Sequence, residues 1–209
     1  GAATRTGAHG RMTILAYLFW HRQIPGVDPS AYEAALRGFH ESIREAPAEV
    51  LLSSACYRLD RVPWLTAADA NHADEPGFED WYLVPDSAAL DRLNEAAISA
   101  RHRSFHDTAA ALAGDGAGGL YAPVDIPGGR DLRLAPARDS ECVWTSKPPR
   151  VPYSEFMPDL AALVPADARV WQRRLVLGPA PEFCVELPGQ SRGELPGVSQ
   201  VAIRRSLII

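Results

Sequence analysis

A set of positions repeats along this chain of 209 residues. Trp20, Pro25, Val27, Tyr32, Leu36 and Phe39 return in the same order and spacing, without a gap, as Trp144, Pro149, Val151, Phe156, Leu160 and Leu163. A repeat covering a strand, a loop and a helix constrains the fold more than any single motif, because each copy must build the same supersecondary unit.

The unit can be read from the first copy. Thr13–His21 is apolar almost throughout and rich in branched and aromatic residues, which predicts a buried strand. Asp28-Pro29-Ser30 then starts a helix, and Tyr32, Leu36, Phe39 and Ile43 form its apolar stripe up to Pro47. Val50–Val62 and Phe78–Val84 read as strands separated by a polar loop. Pro85-Asp86-Ser87 caps a helix carrying Leu90, Leu93 and Ala97. A second helical stretch, Ala100–Ala113, is expected to stop at the glycines 114, 116, 118 and 119, which read as a flexible turn before a short strand, Leu120–Val124. The order strand, helix, strand, strand, helix, strand is that of a ferredoxin-like unit.

The second copy is shorter. Val170–Leu177 and Glu182–Leu187 stand for the second and third strands, with FEDWYLVPD aligned on PEFCVELPG through Pro85 and Pro188. Val201–Ile209 closes the unit, and its second helix is replaced by turn-rich sequence. The expected organisation is an N-terminal extension over 1–12, a first unit over 13–125, a linker rich in Pro, Gly and Arg over 126–140, and a shortened second unit over 141–209. The fold class is α+β, with two tandem ferredoxin-like units.

Composition narrows the partners. The net charge is -5 with 26 acidic and 21 basic residues, which argues against nucleic acid. Lys147 is the sole lysine, so the arginine excess reads as a coding bias. Cys56, Cys142 and Cys184 sit singly in apolar stretches and read as buried free thiols of a reducing compartment. Without a span of ~18 apolar residues or the apolar core of a signal peptide, the expected location is cytoplasmic, with no membrane partner.

Two consecutive ferredoxin-like units resemble the dimeric α/β-barrel superfamily over roughly Thr13–Ile209, in topology and repeat. The segments FEDWYLVPDSAALDRLNEAA and WQRRLVLGPAPEFCVELPG are similar to stretches of uncharacterised bacterial proteins. The resemblance implies antiparallel sheets packed as an α/β barrel. It also implies a range of activities: cofactor-free monooxygenases, cyclases and isomerases of aromatic or conjugated molecules, and haem-binding or haem-processing proteins. A single chain carrying both units could close the barrel alone, so monomer and homodimer both remain open.

Alternation along the strands nominates the site. Tyr17, Phe19 and His21 share one face of the first strand, Ser54, Cys56 and Arg58 one face of the second, and Asp80 and Tyr82 face opposite Glu79 and Trp81. A barrel interior lined by such polar and aromatic groups is expected to form a small-molecule pocket. The catalytic candidates are His21 for proton transfer, Arg58 for a carboxylate or enolate, and Tyr82 as donor to a developing oxyanion. Tyr57, Trp81, Arg174 and Glu186 are the ligand-binding candidates. On the opposite reading, Arg58 with Asp60 and Arg174 with Glu186 are ion pairs on a wet face. His102 and His106 share a helical face without a third ligand of motif spacing, so no metal is expected. No cofactor is expected either; haem, on His21, His40 or His106, is the alternative, and a non-catalytic binding or oligomerisation module is another.

Overall fold

A computed structural model describes residues 14–65, 74–125, 139–175, 178–187, 195 and 197–209. The extension over 1–12 and nearly all of the linker over 126–140 lie outside the described residues. The first half runs β1 (Leu15–Gln23), α1 (Pro29–Ile43), β2 (Ser53–Leu59), β3 (Gly77–Val84), α2 (Ala88–Ala97), α3 (Arg103–Ala110) and β4 (Ala113–Pro123). The second runs β5 (Ser140–Thr145), α4 (Tyr153–Leu163), β6 (Arg169–Arg173), β7 (Phe183–Leu187) and β8 (Gln200–Leu207).

All described strand pairs are antiparallel and close into one barrel in the order β1-β3-β2-β8-β5-β7-β6-β4. Within each half the first strand lies between the third and the fourth, the ferredoxin-like arrangement, and the pairs β2–β8 and β4–β6 join the halves. Each half therefore has the ferredoxin-like strand order, and one chain completes the barrel.

Local chemistry explains the first-half helices. Pro29 fits the first turn of α1, where its missing N–H is unneeded, and the Asp28 carboxylate accepts from the Ser30 amide at 3.0 Å. Tyr32, Leu36, Phe39 and Ile43 bury the predicted stripe against the sheet, each burial contributing about 1.5–3 kcal/mol. His40 is buried on the same face.

The glycine run departs from expectation. Residues 114–119 do not form a turn after a helix; they belong to β4, where 116–119 pair with β1. Gly118 and Gly116 lie opposite Phe19 and His21. A Cβ on Gly116 would stand 2.5 Å from Phe19 Cζ, and one on Gly118 3.0 Å from the Tyr17 ring. Large aromatic side chains from β1 occupy the space that side chains of β4 would take, so glycine here permits close approach.

The barrel interior is filled rather than hollow. Trp20, Trp64, Trp81, Trp144 and Trp171 belong to one buried cluster. Trp20 and Trp81 donate their indole N–H to Glu79 at 2.8 and 2.6 Å, and Trp171 donates to Glu186 at 2.6 Å. Arg205 bonds Glu186, lies 3.4 Å from Glu79, and covers the Tyr57 ring at 4.2 Å. Burial raises the Glu79 carboxyl above its ordinary range despite the opposing Arg205 charge. For Glu186, burial is outweighed by Arg205 and Arg169, and its pKa is lowered. Together these groups satisfy one another inside the barrel, as buried charges must.

Candidate functional site

The opening lies on the other face of the sheet. Between the first-half strands and helices α1, α2 and α3 is a cavity of about 540 Å³. Its sheet wall carries Tyr17, Phe19, His21, Asp80 and Tyr82, and α1 contributes Tyr32. The helices otherwise supply mostly leucine, phenylalanine and alanine, with Asn94 and His106 as polar groups. No lysine or arginine is among the described residues that line it.

Asp80 is the electrostatic centre of this wall. His40 Nε2 donates to Asp80 Oδ1 at 3.0 Å and Tyr82 O–H donates to Oδ2 at 3.1 Å. His21 Nε2 lies 3.2 Å from Oδ2, close enough for an ion pair but without the alignment of a hydrogen bond. On its other side, His21 Nδ1 is 2.6 Å from the Tyr32 hydroxyl. An ionised carboxylate can only accept, so the imidazole proton belongs on Nε2, and Nδ1 accepts from Tyr32. His40 Nδ1 meets Ser54 Oγ at 3.1 Å, and Ser54 also accepts from Arg44 at 3.3 Å.

Burial by itself would raise the Asp80 pKa. Interaction with His21 and His40 overcomes it, holding the carboxyl far below its ordinary range. The tyrosines respond oppositely: burial, reinforced by the Asp80 charge, raises Tyr17, Tyr32 and Tyr82. The wall therefore combines one fixed negative charge with hydroxyls that keep their protons.

The structure divides the residues nominated from the sequence. His21 and Tyr82 line the cavity. Tyr57, Trp81 and Glu186 face the packed interior on the other side of the sheet, so they cannot share a pocket with His21. Arg58 is on the outer side but exposed, and pairs with Glu33. Arg174 is exposed just beyond β6. The expected pocket inside the barrel is thus replaced by one outside it: strand alternation separates two faces, but burial on both conceals which one remains open. Ion pairs of the expected kind also change partners, Asp60 meeting Arg204 and Glu186 meeting Arg169 and Arg205.

In the sequence alone Tyr32 belongs to an apolar helix stripe, and nothing gives Asp80 or His40 a catalytic role. The available signal was polarity within a buried pattern: His40 follows the stripe residue Phe39, and Asp80 interrupts an apolar strand.

His40, Cys56 and Asp80 place potential metal-donor atoms within 4.8 Å of one another. Their present partners favour a hydrogen-bonded cluster: Asp80 already accepts from His40, and burial, with Asp80 beside it, raises the Cys56 thiol well above its ordinary pKa. His102, the residue of the spaced pair that precedes α3, instead contacts Ser42 at 2.7 Å. Haem fits His21 and His40 poorly as ligands, whereas His106 lines the cavity with its Nδ1 3.1 Å from Asp107. His21 and His40 face protein partners at both ring nitrogens, and the described lining offers no cation for carboxylate side groups.

No protein-family model matches the sequence, and no significant match to a curated protein is found. Solved structures do show its fold. A candidate monooxygenase from Fusobacterium nucleatum is similar with a TM-score of 0.59 and 8% identity, covering 94% of this chain and 93% of its own. A candidate monooxygenase from Lactobacillus acidophilus gives 0.54 at 10% identity, over 94% and 95%. A candidate chlorite dismutase gives 0.56 at 14% identity, over 93% and 94%. Among the described residues, no helix is long and apolar enough to cross a membrane. The chain has the dimeric α/β-barrel fold, with both ferredoxin-like halves supplied by a single polypeptide.

Proposed function

We propose that this protein binds a neutral aromatic or conjugated organic molecule in the cavity of the first half and removes a proton from it without a cofactor. The observation that carries this reading is the buried Asp80 carboxylate in the wall of a predominantly apolar cavity, 3.2 Å from His21 and 3.0 Å from His40. Such a pair makes His21 a competent base, because Asp80 fixes the imidazole and stabilises the imidazolium formed when the proton arrives. Proton abstraction is the opening step shared by cofactor-free monooxygenation, cyclisation and isomerisation of conjugated substrates. Two relatives in fold carry a monooxygenase designation. Tyr82 keeps its proton next to Asp80 and supplies a polar contact in the same wall.

The charge of the ligand follows from the same wall. Asp80 repels an anion, and no described lining residue supplies the guanidinium or ammonium that a carboxylate would require. Calorimetric titration with 1-naphthol and with 1-naphthoate tests this directly. Naphthol should bind, and naphthoate should bind at least roughly tenfold more weakly, a difference of about 1.4 kcal/mol. Ala97→Phe, which fills the cavity from α2, should abolish naphthol binding. Equal affinity for the anion, or binding that survives Ala97→Phe, would overturn the assignment. A Soret shift on adding haem that is lost in Ala97→Phe would replace it with the haem reading.

A further inference from the structure

The geometry points to Tyr32 as the residue that meets the substrate proton, with Tyr32, His21 and Asp80 acting as a relay in which His21 receives the proton through the tyrosine hydroxyl. This inference rests on the proton-abstraction reading and identifies the atom that carries it out.

Tyr32 reaches the site from α1, while His21 and Asp80 come from neighbouring strands paired in the same sheet. Its hydroxyl is 2.6 Å from His21 Nδ1, and the other imidazole nitrogen lies 3.2 Å from Asp80 Oδ2. The order hydroxyl, imidazole, carboxylate is that of a nucleophile–base–acid triad, with a phenol in the first place. All three side chains line the cavity. The imidazole has protein partners facing both nitrogens, so direct attack by His21 would first require it to leave one of them. Tyr32 has no such restriction: while it donates to Nδ1, its oxygen keeps a lone pair for an incoming proton.

The step balances without another reactant. The substrate C–H or O–H bond breaks, and its electron pair stays on the substrate as an enolate or phenolate. Its proton bonds to the Tyr32 oxygen as the tyrosine proton moves to His21 Nδ1. The products are a substrate anion, an intact tyrosine and an imidazolium beside Asp80. Burial and the Asp80 charge favour the protonated phenol, so Tyr32 passes a proton on rather than storing negative charge.

The ring of Tyr32 is fixed independently of its hydroxyl. It packs edge-on against Phe78 at 5.1 Å and against the His21 ring at 5.6 Å. Tyr32→Phe therefore removes the relay atom while retaining the ring.

The test follows deuterium incorporation from D2O into 2-tetralone by NMR, with binding of the same ketone measured by calorimetry. The wild type should accelerate exchange. Tyr32→Phe should lower the rate by about 100-fold or more with the dissociation constant for 2-tetralone changed less than about threefold. His21→Gln should fall to the same floor, and the double variant should be no slower, because members of a relay fail together. Exchange in Tyr32→Phe within threefold of the wild-type rate would overturn the relay and leave His21 as the direct base. Absence of wild-type exchange with bound 2-tetralone would instead overturn the proton-abstraction reading, and the relay with it.

Discussion

The two halves of the barrel share their strand order but use their outer faces differently. In the first half, α1 brings Tyr32 and His40 against a sheet wall of His21, Asp80 and Tyr82, and a cavity remains. In the second, α4 covers Val143, Val170, Phe183, Val185 and Leu187, packed with Phe156, Leu160 and Val164. Ladder register makes the comparison residue by residue. β1 sets Phe19 opposite Asp80 and Tyr17 opposite Tyr82, whereas β5 sets Val143 opposite Val185 and Glu141 opposite Leu187. Along the repeat, Tyr32 becomes Phe156, His40 becomes Val164 and His21 becomes Thr145. The second half thus shows that the scaffold requires none of the polar site residues for its outer layer, and their presence in the first half argues for function.

The largest expected effect comes from disrupting the polar wall incompletely. Asp80→Val leaves His21 and His40 buried without their shared carboxylate and should cost about 3–5 kcal/mol in chemical denaturation. Replacing the set with its second-half counterparts, His21→Thr, Tyr32→Phe, His40→Val and Asp80→Val together, removes both sides of each main interaction. That variant should lie within about 2 kcal/mol of the wild type while losing proton exchange. If the fourfold variant is no more stable than Asp80→Val alone, the polar wall is a structural requirement and the comparison between halves fails.

A smaller effect should appear in acid. The folded-state pKa of Asp80 lies below the ordinary 3.8. Its contribution to stability is therefore fully present above that value and is lost as the pH falls through it toward the folded-state pKa. Asp80→Asn should be less stable at neutral pH and show a shallower loss of stability between about pH 5 and pH 3. Glu186, whose pKa is also lowered, should account for part of the remaining slope. Glu79, adjacent in sequence but facing the interior, has the opposite shift: its favourable contribution belongs to low pH and is lost as the pH rises. Glu79→Gln should therefore leave the acid loss in place. An unchanged acid slope in Asp80→Asn would remove Asp80 from this account.

Much of the architecture was legible in the sequence because its spacing is physical. The stripe on α1, the strand alternation and the repeated Trp20 and Trp144 led to two ferredoxin-like units. The site was less legible. β3 is buried at all eight positions, so Asp80 and Glu79 look equally enclosed until the barrel closes on one side and helices cover the other. Tyr32 was hidden by serving packing and hydrogen bonding at once. The alignment through Pro85 and Pro188 also misses the ladder register by two residues: Trp20 faces Glu79, while its counterpart Trp144 faces Cys184. A shift of two preserves the face of a strand, which is why the pattern gave no warning.

The glycine strand supplies the smallest and most local test. Gly116 faces the outer side opposite His21, and its missing side chain leaves room for Phe19 in the cavity wall. Gly116→Ala would bring a Cβ to 2.5 Å from the end of the Phe19 ring. That ring must swing away, at a cost of about 1–3 kcal/mol, and the space beside it is the cavity. Binding of 1-naphthol should weaken by roughly tenfold, about 1.4 kcal/mol. Gly26→Ala is the matched control: with φ at +87° and nothing within 4 Å of the added Cβ, it introduces backbone strain away from the cavity. It should cost about 1–2 kcal/mol in stability without altering naphthol affinity. Equal binding losses in the two variants would show that affinity follows general stability; a loss confined to Gly116→Ala would make the bare strand a determinant of cavity shape, one for which the packed second half has no use.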